Sequence, residues 1–180
     1  MFSDIYMLNI LRDFDFPKVK RYNVRETDDD AYGVCLGHIF PWGGALKYNG
    51  NERFTPKLCC RLKQERYKVL FEECIKYMKE YDSDFKFTSI MLNKNIKCKK
   101  HIDKYNHNLS YIIGLGDYEG GELLLYDKKG NITDSINIKD TFYKFDGHTH
   151  HSTNDFTGER YSLVFYSICD YNEENKQYFL

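Results

Sequence analysis

Residues that could hold a metal stand at two places in the chain. The stretch KCKKHIDKYNHN sets His101 and Asp103 two residues apart inside a run of lysines, and FDGHTHHSTNDFTGERYSLVFYS carries His148, His150 and His151 well downstream. Alone, a His-x-Asp triplet describes a solvated loop as well as half a metal site. With a distal histidine it supplies two imidazoles and one carboxylate, which on one face of Fe(II) leave the other positions open for a co-substrate and O2. Zinc hydrolysis is the other metal chemistry open to this ligand set. Arg160 and Ser162 then share one face of the last apolar run. A guanidinium forks onto a carboxylate, and a hydroxyl beside it adds a further bond, which suits the far end of a dicarboxylate such as 2-oxoglutarate. Zinc hydrolysis gives Arg160 no task.

These residues need a scaffold that brings distant segments together. FKFTSIMLN, LSYIIGLG, ELLLYD, ITDSINI, TFYKFD and RYSLVFYSI are short β-branched and aromatic runs, separated by turn clusters such as DYEGGE and DKKGN. Hairpin-length connections between such runs predict an antiparallel sandwich or barrel. Tyr143, Phe145, Tyr161 and Phe165 sit at strand spacing and are expected in the core. Upstream, Thr55-Pro56 reads as an N-cap with proline at the first helical position. Leu58, Leu62, Val69, Leu70, Cys74, Ile75 and Met78 follow at helical spacing, which predicts an amphipathic helix over 56–81. Residues 1–54 show no clear period and are expected to be irregular, with GHIFPWGGALKYNGN a loop or short hairpin. The fold expected is α+β, mainly β, in one domain over 1–180, with a strand core over 86–170 and the helix supporting one sheet.

The bulk numbers set bounds. At 180 residues, 42% hydrophobic and 17% aromatic, the chain can bury a core without staples. A formal net charge of −1 provides no global field for nucleic acid, so an anionic partner must meet a local basic patch. The six cysteines show no zinc-site pairing and read as thiols of a reducing compartment. The opening MFSDIYMLNILRDFDF lacks a basic n-region, and no segment approaches the ~20 apolar residues of a membrane helix. These features predict a soluble, intracellular protein with no membrane partner, and a monomer by default.

Over roughly residues 87–168 the sequence resembles the Fe(II)/2-oxoglutarate-dependent dioxygenases on the double-stranded β-helix (jelly-roll, cupin-like) fold. It is most similar to the branch holding the ten-eleven translocation (TET) methylcytosine dioxygenases and the base J-binding thymidine hydroxylases. Short relatives of that branch occur in algae, phages and large DNA viruses. The resemblance is carried by Asn93, by His101, Asp103 and Asn106, by Gly120 to Leu123, by Phe-Asp-Gly before the distal histidine, and by Gly158 to Ser162. It implies Fe(II), 2-oxoglutarate and O2 as cofactor and co-substrates, and hydroxylation of a C–H bond with release of succinate and CO2.

Carried over, the resemblance makes His101 and Asp103 iron ligands and selects His151 as the third. Strand alternation keeps His150 as the alternative, since His148 and His150 share a face that His151 leaves. Arg160, with Ser162, would bind the distal carboxylate of 2-oxoglutarate, and Tyr111 is a further candidate for that pocket. For the substrate, the implied reading is a methyl or alkyl group on a nucleobase of DNA or RNA. Asn106, Lys100, Lys104 and Tyr105 are the substrate-side candidates, with Lys94, Lys97 and Lys99 completing a lysine patch for phosphates. Tyr105 and Trp42 could stack a flipped base. A peptidyl (prolyl or lysyl) hydroxylase is the alternative within the same superfamily, although prolyl enzymes often carry lysine where this chain has Arg160. A metal-free β-sandwich binding module is the non-enzymatic alternative, and it leaves the ligand set without a purpose.

Overall fold

Alternation along the strands sorts the side chains into two cores. In the computed structural model, which describes residues 3–19, 31–40 and 55–180, the strands are β1 (Tyr32–Ile39), β2 (Lys57–Leu58), β3 (Ser89–Lys94), β4 (His107–Leu115), β5 (Tyr118–Gly120), β6 (Leu123–Tyr126), β7 (Ile132–Ile136), β8 (Tyr143–Asp146), β9 (His151–Thr153), β10 (Phe156–Gly158) and β11 (Tyr161–Ser167). The helices are α1 (Asp4–Asp13) and α2 (Glu65–Tyr81). A large antiparallel sheet runs β2-β1-β3-β11-β4-β8, a smaller one runs β7-β6-β9, and β10 pairs with β5.

On β11, Tyr161, Leu163 and Phe165 face the helices; on β4, Tyr111, Ile113 and Leu115 do the same. They meet Tyr67, Leu70, Phe71, Cys74, Tyr77 and Met78 of α2, and Met7 and Leu11 of α1. The opposite faces supply a second core between the two sheets, built on Ile112, Leu123, Ile138 and Phe145 with Val164 and Leu125 against it. Each large apolar side chain so buried contributes about 1.5–3 kcal/mol. The result is a jelly roll: two facing sheets, with helices on the outer face of the larger one.

The strands expected from LSYIIGLG, ELLLYD, ITDSINI, TFYKFD and RYSLVFYSI are all present, and Tyr161, Phe165 and Phe145 are core residues as expected. Three expectations change. The supporting helix begins at Glu65, not 56, because the backbone is extended at Cys59 (φ −57°, ψ 127°) and again at Gln64 (φ −96°, ψ 127°). Leu58 and Val69 lie exposed, while Tyr67, Phe71 and Tyr77 join the expected Leu70, Cys74 and Met78 in the buried stripe. Within 1–54, expected to be irregular, α1 is capped by the Ser3 hydroxyl accepting from the Tyr6 amide, and β1 joins the large sheet beside β3. Residues 41–51 of the expected loop, Trp42 among them, lie outside the described residues. No helix of the described residues is long and apolar enough to cross a membrane.

Candidate active site

The two histidines meet through their backbones. His101 lies past the end of β3 and His151 opens β9, and each amide donates to the other's carbonyl, at 3.0 and 2.9 Å. Residues so paired in an antiparallel bridge project their side chains to one side. The two imidazoles therefore stand with centroids 4.4 Å apart. Asp103 is fixed by its amide, which donates to the Gly147 carbonyl at 2.8 Å. Its Oδ1 lies 3.7 Å from His101 Nε2, and its Oδ2 lies 3.7 Å from His151 Nε2. The three donor atoms fall within 4.8 Å of one another.

Both rings are held in the tautomer a metal requires. His101 Nδ1 reaches the Lys99 carbonyl at 2.6 Å, and His151 Nδ1 reaches the Thr149 carbonyl at 2.7 Å. A carbonyl only accepts, so each Nδ1 carries the proton and each Nε2 turns a lone pair toward the other donors. Burial pushes the His151 imidazole below its ordinary value, which keeps it neutral at pH 7. His150 is exposed, and so is His148, whose ring leans on Asp146. The structure brings His151 into the triad and leaves His150 out. The donor set fits one divalent ion of the Fe(II) kind: two imidazoles, one carboxylate and no thiolate.

Arg160 enters the space between the sheets from the start of β11. It is 2% exposed, and its guanidinium lies 5.4 Å from the rings of both Tyr118 and Phe156. One nitrogen donates to the Gly121 carbonyl at 3.1 Å, while the buried Nε has no partner. Burial pushes the guanidinium below its usual value, yet a guanidinium keeps its proton in a protein. Among the described residues no carboxylate pairs with it, and an uncompensated buried charge costs several kcal/mol. The Tyr118 hydroxyl is likewise buried, beside the guanidinium, and makes no hydrogen bond of normal geometry. Burial pushes this phenol up, so it remains an O–H donor at neutral pH. Ser162 Oγ accepts from Asn93 Nδ2 at 3.2 Å, which leaves its own proton to donate. A guanidinium, a phenol and a hydroxyl with unspent donors fit the carboxylate of 2-oxoglutarate.

Tyr118 was not singled out from the sequence. Its hydroxyl gains its place because Gly114 stands opposite Ser162, where an added Cβ would lie 2.2 Å from that oxygen. Nothing local to DYEGG signals this. Tyr111, expected in the same pocket, is on the other face of β4. It pairs with Phe165, and its hydroxyl donates to Asp82 at 3.0 Å beneath the C-terminus of α2. Ser110, one residue earlier and on the inner face, is the buried β4 hydroxyl without a partner.

The substrate-side candidates are redistributed as well. Asn106 Nδ2 donates to Asp103 Oδ2 at 3.3 Å, so its amide serves the carboxylate of the triad. Lys94 pairs with Glu159 at 3.6 Å and Lys97 with Asp155 at 2.5 Å, which removes both from an open patch. Lys100 lies over the Tyr126 ring at 4.9 Å, and Lys104 over the exposed Tyr105 at 5.6 Å. Lys100 also reaches the β6–β7 turn, 3.2 Å from where a Cβ on Gly130 would stand, and Lys128 and Lys129 are exposed on that turn. The basic rim is thus assembled from two segments, Lys99–Lys100 and Lys128–Lys129.

No family model and no curated protein matches the sequence. Solved structures do. A 2OG-Fe(II) oxygenase family oxidoreductase from Burkholderia pseudomallei superposes with a TM-score of 0.59 at 14% identity, over 90% of this chain and 76% of that one. NgTET1 in complex with 5mC DNA gives 0.53 at 17% identity, over 80% of this chain and 62% of that one. OsALKBH1 gives 0.52 at 11% identity, over 91% of this chain and 90% of that one. The fold is that of the 2OG-Fe(II) oxygenases. This chain spans less than two thirds of NgTET1.

Proposed function

We propose that this chain is an Fe(II)- and 2-oxoglutarate-dependent dioxygenase that hydroxylates a C–H bond. The observation that carries the reading is one jelly roll holding both a His101–Asp103–His151 triad with inward Nε2 atoms and a buried guanidinium lacking an anion. The triad would hold Fe(II), and Arg160, Ser162 and Tyr118 would take the far carboxylate of 2-oxoglutarate. When bound, iron, 2-oxoglutarate and O2 supply the oxidant, converting 2-oxoglutarate to succinate and CO2 while one oxygen atom enters the substrate C–H bond. The residues of this chain would orient the ligands, hold the co-substrate's charge away from water, and turn both Nε2 atoms toward the metal.

The finer reading is a methyl or alkyl group on a nucleobase of DNA or RNA. It is supported by the basic rim beside the triad and by the fold shared with NgTET1, which was solved with 5mC DNA. Tyr105, exposed and next to Lys104, would stack a flipped base. Succinate release requiring both Fe(II) and 2-oxoglutarate, and abolished in Asp103→Ala, is the expected result. Release that persists in Asp103→Ala, or no release with any substrate, would refute the catalytic reading. Mass spectrometry after turnover on methylated oligonucleotides and on proline- and lysine-containing peptides decides the substrate; oxygen gained by peptides alone identifies a peptidyl hydroxylase.

A further inference from the structure

We propose that Asn106 is a positioning residue that reserves one oxygen of Asp103, so that the carboxylate meets the metal through the other oxygen only. The proposal rests on the reading of Asp103 as an iron ligand. A carboxylate can bind a cation through one oxygen or both, and rotation about its last bond interconverts the two modes. In this site the two oxygens have different surroundings. Oδ1 faces His101 Nε2 at 3.7 Å. Oδ2 faces His151 Nε2 at 3.7 Å and also accepts from Asn106 Nδ2 at 3.3 Å.

Three features hold that amide in place. The Asn106 backbone N–H donates to the Asp103 carbonyl at 3.0 Å, closing a turn that sets the two side chains together. The Asp103 N–H is anchored on Gly147, and a Cβ on Gly147 would lie 3.1 Å from Asp103 Cβ and 3.4 Å from Asn106 Nδ2. The backbone thus sets the two side chains side by side, and Gly147 leaves the room they need. Because Oδ2 can only accept, the group against it must be the NH2 end of the amide.

The consequence is a count of open positions. Two imidazoles and one carboxylate oxygen would leave a bound metal with positions open for a chelating keto acid and O2. A second oxygen from Asp103 would occupy one of those positions. Asn106 therefore acts on co-substrate binding through Asp103, without touching the co-substrate.

The test uses Mn(II) as the probe metal and the full chain. Asn106→Leu keeps the volume and removes the donor; Asn106→Gln keeps an amide. In Mn(II)-loaded crystals the wild type should bind through one Asp103 oxygen and Asn106→Leu through both, with Asn106→Gln resembling the wild type. Titration of the Mn(II)-loaded proteins with 2-oxoglutarate should show affinity falling about tenfold in Asn106→Leu and largely restored in Asn106→Gln. If Asn106→Leu binds Mn(II) through one oxygen and takes 2-oxoglutarate as tightly as the wild type, the proposal is overturned. A rise in KM for the oxidised substrate alone would likewise assign Asn106 to substrate and overturn it. If Mn(II) in the wild type does not contact Asp103, the active-site reading itself has failed. Circular dichroism melts confirm that each variant is folded, and Asn106→Ala replaces Asn106→Leu should that variant not fold.

Discussion

A buried guanidinium with an idle Nε is the strongest demand made by any one residue among those described. Its charge cannot be shed, so the favourable resolution is an anion; in the proposed reading the Tyr118 and Ser162 hydroxyls would help Arg160 hold a carboxylate. Arg160→Lys keeps the charge and loses the planar fork, so KM for 2-oxoglutarate should rise at least about tenfold with a smaller change in kcat. Tyr118→Phe removes one charge-assisted bond and should raise the same KM about tenfold, measured by succinate formation against co-substrate concentration. At this scale the sequence was legible where placement depends on residue type and near spacing: His101 with Asp103, and Arg160 with Ser162. Tyr111 and Tyr118 were not distinguishable, because the choice between them depends on which face of β4 looks inward and on Gly114 leaving room across it.

Among the elements, α1 reaches furthest into the pocket's construction. Arg12, in its last turn, donates to Asp117 at 2.6 Å and to Glu159 at 2.8 Å. Those two residues immediately precede Tyr118 and Arg160. Burial works to raise the Glu159 carboxyl, but hydrogen bonds from Arg12 and Tyr161, with Lys94 nearby, hold it below the usual carboxylate range. A depressed folded pKa means the stabilisation is fully present above the ordinary glutamate value of about 4.3 and is lost as pH falls through the lower folded value. Thermal melts from pH 7 into acid should therefore show a loss over that window, and Glu159→Gln should flatten that part of the profile. The helix itself was hard to read in the sequence, since Met7 and Leu11 are the buried residues of a short element whose Ile5 and Tyr6 face water. The strands were easier, because β-branched and aromatic runs between turn residues have few other conformations to choose. The start of α2 misled for a related reason: Leu58 and Leu62 have helical spacing, but extended backbone at Cys59 and Gln64 separates them from the helix.

For the molecule as a whole, a net charge of −1 coexists with a rim of lysines drawn from two loops. The turn's own acid, Asp127, is engaged by the amides of Lys129 and Asn131, and Lys128 and Lys129 are exposed beside it. If nucleic acid is the partner, Lys128→Glu with Lys129→Glu should weaken oligonucleotide binding and reduce the salt slope by about one for each phosphate no longer neutralised. An unchanged slope would remove this rim from the binding surface. Lys128 and Lys129 were not visible as part of a patch in the sequence, where the β6–β7 turn stands apart from the lysines of the His-x-Asp loop.

The reciprocal backbone pairing of His101 with His151 also carries a message about order of assembly. It joins segments on either side of β4 to β8, so the long intervening chain must be organised before the two histidines can meet. Closing so large a loop is entropically expensive, and pairings of this separation form late. A metal held by this triad would consequently be a keystone set after the arch stands, entering a finished fold without templating it.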